Sequence, residues 1–61
     1  MQNWSFPSSQ HRDSAIAEAM IMYPDAELTA CGEFGIVLRF VGALYDLLVG
    51  TLLKVFGGIL T

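Results

Sequence analysis

Histidine and cysteine each occur once in this chain, as His11 and Cys31. A single cysteine excludes an internal disulfide. Two ligand-type side chains twenty residues apart do not make a zinc site. Basic residues are nearly as scarce: Arg12, Arg39 and Lys54 stand against six acidic residues, for a net charge of −3. That balance argues against the electrostatic footprint that nucleic acid or anionic lipid requires. Nor is there a phosphate loop, because the segment Gly32-Glu33-Phe34-Gly35 lacks Walker or dinucleotide spacing. No Ser/His/Asp or Cys/His arrangement and no paired carboxylates on a polar helix face are recognisable. The expectation is therefore no catalytic residue, no cofactor, no metal and no enzymatic activity. The N-terminus also lacks the basic and then apolar regions of a signal peptide.

Apolar residues are plentiful. They make up 54% of the chain, charged residues only 15%, and mean hydropathy is +0.55. A chain of this length has room for one domain and buries only about 60% of its unfolded surface. Disulfides, a metal or an oligomer usually compensate. With the first two excluded, burial in lipid or in a larger assembly is expected.

Residues 1–13 read as an irregular arm, with Pro7, three serines and no helical or strand period. Trp4 and Phe6 stand out as rings that anchor the arm at an interface or fold back on the chain. His11 and Arg12 read as solvated. Residues 14–23 predict a short apolar helix capped by Asp13 or Ser14, with Met20 and Met22 as core filling or an adaptable contact. Tyr23-Pro24-Asp25 breaks it, and Pro24 suits the first position of a second helix. Cys31 reads as a small buried residue.

Residues 34–61 are almost continuously apolar, and with the lead-in they predict one long helix over 24–61. Residues 34–56 alone would span about 34 Å at 1.5 Å per residue, enough for a hydrocarbon core of about 30 Å. On a helical projection Gly35, Arg39, Gly42, Ala43, Asp46, Gly50, Lys54 and Gly57 fall on one side, forming a stripe of small and charged residues. Small residues allow close helix approach, and the charges would pair across the contact. Asp46, in mid-span, would need a partner from a neighbouring chain.

The expected fold class is thus all-α: an irregular arm, a short apolar or interfacial helix and one long membrane-type helix, with no independent globular core. The expected function is that of a non-catalytic, single-pass membrane subunit of a larger complex. Its stripe would dock on other membrane helices, and Trp4 and Phe6 would anchor it at the lipid bilayer. The alternative is a self-assembling helical protein, either a coat or filament subunit or a pore-forming or lysis peptide. In layout alone, an acidic N-terminal part followed by a single apolar helix is similar in outline to filamentous-phage major coat proteins. The resemblance implies a C-terminal basic cluster for DNA, where this chain has only Lys54.

Overall fold

A computed structural model describes residues 1–39 and 42–61. Its elements run β1 (Gln2–Ser5), α1 (Ser9–Met22), β2 (Glu27–Cys31), β3 (Gly35–Arg39), α2 (Ala43–Val55) and β4 (Ile59–Leu60). The strands form one sheet in the order β2-β3-β1-β4, antiparallel at every neighbouring pair. This βαββαβ connectivity, with each helix crossing between strands separated by a third, is the split βαβ arrangement of ferredoxin-like folds.

The all-α expectation is therefore corrected to α+β. No long helix covers 24–61; β2, β3, α2 and β4 occupy that range, and residues 40 and 41 lie outside the described residues. Among the described residues no helix is long and apolar enough to cross a membrane. The 13 residues of α2 reach only about 20 Å. The single-pass subunit, the membrane localisation and the coat or pore alternative all depended on that helix, and they fall with it.

Local chemistry explains the elements. In β1, Trp4 points into the core while Asn3 and Ser5 are exposed, which is the period-two pattern of a half-buried strand. Register places Trp4 beside Ile36 and Gln2 beside Leu38, so the inward residues of β1 and β3 share a face. Phe6 follows β1 into the same core, and its N–H donates to the Phe34 carbonyl at 2.8 Å. The arm expected to be irregular is thus the strand between β3 and β4. Ser8, extended at φ −155° and ψ 163°, caps α1 by accepting the His11 N–H. That cap starts the helix five residues before position 14. Tyr23, before Pro24, ends it.

Both helices pack on one sheet face. The core is Trp4, Phe6, Ala15, Ile36, Leu38, Val49 and Leu53, with Tyr23, Leu28, Tyr45 and Phe56 at its margin. Ala15 and Ala19 have no exposed surface, and their small size lets α1 lie close. The opposite sheet face carries exposed Asn3, Ser5, Thr29 and Cys31 and half-buried Val37. Cys31 is therefore exposed rather than buried.

Arg12 is nine-tenths buried rather than solvated. Its Nε donates to Asp13 Oδ1 at 2.7 Å, and one terminal nitrogen donates to the carbonyls of Gly32 and Gly35 at 3.1 Å each. A planar guanidinium can serve several acceptors at once, so this one side chain ties α1 to the β2–β3 turn. Replacing Arg12 by alanine strands two turn carbonyls. It should cost about 1.5–3 kcal/mol, the usual value of hydrogen bonds to a charged group. Urea denaturation checks this, and Arg12→Lys should recover little of the loss.

Candidate interaction surface

Helix α2 has three distinct sides. Asp46, Val49, Gly50 and Leu53 are buried against the sheet. Tyr45 and Phe56 flank α1: the Tyr45 ring meets Tyr23 edge-on with centroids 5.5 Å apart, and its hydroxyl accepts the Asp25 N–H at 3.3 Å. The third side faces outward and carries Leu44, Leu47, Leu48, Thr51 and Val55. Leu44 is 73% exposed, Leu47 66%, Leu48 44% and Val55 76%. A helix that is apolar on every side is ordinarily covered on every side. Among the described residues, only the inner two are covered.

Thr51 is the one polar residue in the middle of that outward side, and its hydroxyl donates to the Leu47 carbonyl at 2.9 Å. Its hydrogen-bonding demand is thereby met within the helix, and the side can lose water at little cost. Ile21 and Met20, at the end of α1 that meets the start of α2 through the Tyr23–Tyr45 contact, add further exposed apolar surface.

Beside this side, between α2 and the β1–β4 edge, lies a cavity of about 140 Å³. Trp4, Asp46, Leu47, Gly50, Lys54 and Leu60 are among its lining residues. A second cleft, of about 280 Å³, is lined by Gln10, His11, Ser14 and Phe56. The Ser8 hydroxyl, which accepts the His11 backbone N–H as the α1 cap, also lies 2.6 Å from His11 Nδ1. Among the described residues, no three of His, Cys, Asp and Glu come together in a way that could hold a metal.

The residues predicted as one stripe are divided among several elements. Gly35 begins β3, and Arg39 ends it, 3.7 Å from Glu27 on β2. This is an exposed cross-strand pair and so of small energetic weight. Gly42 caps α2 and Ala43 is its first residue; both are exposed. Asp46, Gly50 and Lys54 stay together, one helical turn apart, along the cavity wall. Asp46 in the first turn and Lys54 in the last also complement the helix dipole. Gly57 has φ +89°. Its N–H donates to the Lys54 carbonyl and that of Gly58 to Leu53, which together make a Schellman stop. Trp4 and Phe6, expected at an interface, are 3% and 4% exposed in the chain's own core.

In sequence, the outward residues of α2 merge with the apolar background of the expected membrane helix. The signal that distinguishes them is their spacing, because Leu44, Leu48, Thr51 and Val55 follow each other at intervals of four, three and four. No protein-family model, curated protein or solved structure matches this chain.

Proposed function

We propose that this chain is a non-catalytic docking module that binds another protein through the outward side of α2. The observation that carries this reading is the exposure of Leu44, Leu47, Leu48 and Val55 on one helix. Few charges interrupt them, and Thr51 is satisfied internally. Contiguous apolar surface of this kind marks association sites. His11 is exposed on α1, and Cys31 is exposed at the end of edge strand β2. Three basic residues in the whole chain favour a protein partner over nucleic acid.

Size-exclusion chromatography of detergent-free extract from the source cells, with the chain detected by an antibody, tests this. The native chain should elute in a complex well above its own 6.7 kDa. Leu48→Glu should elute near 6.7 kDa while keeping the wild-type circular dichroism once purified. A native chain that runs at 6.7 kDa under all conditions would contradict the docking role.

A further inference from the structure

We infer that the partner on this surface is a second copy of the same chain, with the two α2 helices packed antiparallel across a two-fold axis. The inference rests on the docking role proposed for α2. The four-three-four spacing of Leu44, Leu48, Thr51 and Val55 is that of a coiled-coil seam, which a second helix fits. Helix α2 of another copy is such a helix.

An interface on a two-fold axis must be complementary to itself. With the axis between Leu48 and Thr51, Leu44 faces Val55 of the second copy and Leu48 faces its Thr51. Every pair joins an apolar residue to another apolar residue or to a hydroxyl already satisfied at 2.9 Å. No charge lies in the seam. Lys54, on the cavity side, can lay its methylene stem along Leu47 of the second copy and keep its ammonium in water. The antiparallel choice follows from the helix dipoles, because a parallel pair would bring like ends together.

A stable dimer buries roughly 800 Å² per partner, about one-fifth of the 3864 Å² this chain exposes. Leu44, Leu47, Leu48 and Val55 on α2 and Leu60, which lines the same cavity as Leu47, are exposed and can contribute to such a contact. The same contact gives a 61-residue chain the oligomeric support that bodies of this size commonly need.

Sedimentation velocity of the purified chain at about 100 μM tests the dimer, with reductant present because Cys31 is exposed. The expected mass is twice 6.7 kDa, or 13.4 kDa. Leu44→Glu and Val55→Lys, each at a largely exposed position, should both weaken the dimer by about tenfold or more without loss of helical signal. Mixing these two variants should restore a dimer, because the antiparallel register then sets Glu against Lys at one end and the native Leu44–Val55 pair at the other. Thr51→Lys is the second disrupting variant, should either of the first two unfold. Thr29→Glu, on the opposite sheet face, should leave the dimer intact.

A monomeric wild-type chain overturns the inference, as does a dimer indifferent to the α2 substitutions. A mixture that stays monomeric overturns the antiparallel register. A purified monomer combined with a large complex in the cell extract would reject the second copy and leave the docking role standing. A monomer in both settings would reject both.

Discussion

Trp4→Ala is expected to leave the chain largely unfolded at 25 °C. The indole is 3% exposed on the central strand β1 and packs in the core with Ile36, Val49 and Leu53. Its Nε1–H also donates to Gln2 Oε1 at 3.2 Å. Truncating a buried Trp to Ala costs about 3–5 kcal/mol, combining lost transfer free energy with the cavity left behind. A chain of this length has a total stability of about 3–9 kcal/mol, at about 0.05–0.15 kcal/mol per residue. One substitution therefore consumes most of it. A site already bordered by a cavity of about 140 Å³ can collapse only partly around the loss. Far-UV circular dichroism in a urea titration reads the result. A midpoint near that of the wild type would mean that Trp4 is not in the core.

Gly50→Leu is the second large effect, and it acts on the same contact from the helix side. A Cβ built at Gly50 lies 3.3 Å from Trp4 Cζ2 and 3.6 Å from Cη2. Alanine at this position gains about 0.5–1 kcal/mol of helix propensity over glycine and makes one tight contact. The net change for Gly50→Ala should therefore be small. Leucine adds three more carbons with the indole in their way, and overpacking of this kind costs about 1–3 kcal/mol or more. The contrast between the two substitutions identifies close packing as the cause. Equal thermal midpoints for Gly50→Leu and the wild type would remove Trp4 from the face of Gly50.

Several features were legible before the fold was known. The break at Tyr23-Pro24-Asp25 coincides with the end of α1, because proline acts through local backbone geometry. Trp4 and Phe6 were visible as rings that must dock, with the chain's own core as one of two destinations. The rest was obscured by how apolar residues are distributed in a chain this small. Strand β3 is short, and its Ile36-Val37-Leu38 core reads as continuous apolar sequence, which periodicity cannot distinguish from a buried helix. Running into an α2 that is apolar on nearly every side, it imitates a membrane span. Ile36 and Val37 are β-branched, a strand signal that the continuous apolar run outweighs in the sequence.

The glycines misled in the same way. Projected on one helix they align, whereas in the fold they separate elements: Gly42 caps α2, and Gly57 and Gly58 close it. Only Gly50 accommodates a close neighbour on a helix, and that neighbour is the chain's own Trp4. The tie made by Arg12 to the β2–β3 turn is not visible in sequence. Asp13 is adjacent, but the two carbonyls that Arg12 also serves lie twenty or more residues away.

The most direct test of the fold is the pattern of backbone chemical shifts across residues 34–60 in detergent-free buffer, read by nuclear magnetic resonance. Extended shifts are expected over Gly35–Arg39, helical shifts over Ala43–Val55 and extended shifts again at Ile59–Leu60, together with nuclear Overhauser contacts from the Trp4 indole to Ile36 and Gly50. One uninterrupted run of helical shifts from Phe34 to Phe56, without Trp4 contacts, would contradict the α+β fold and the docking surface built on it.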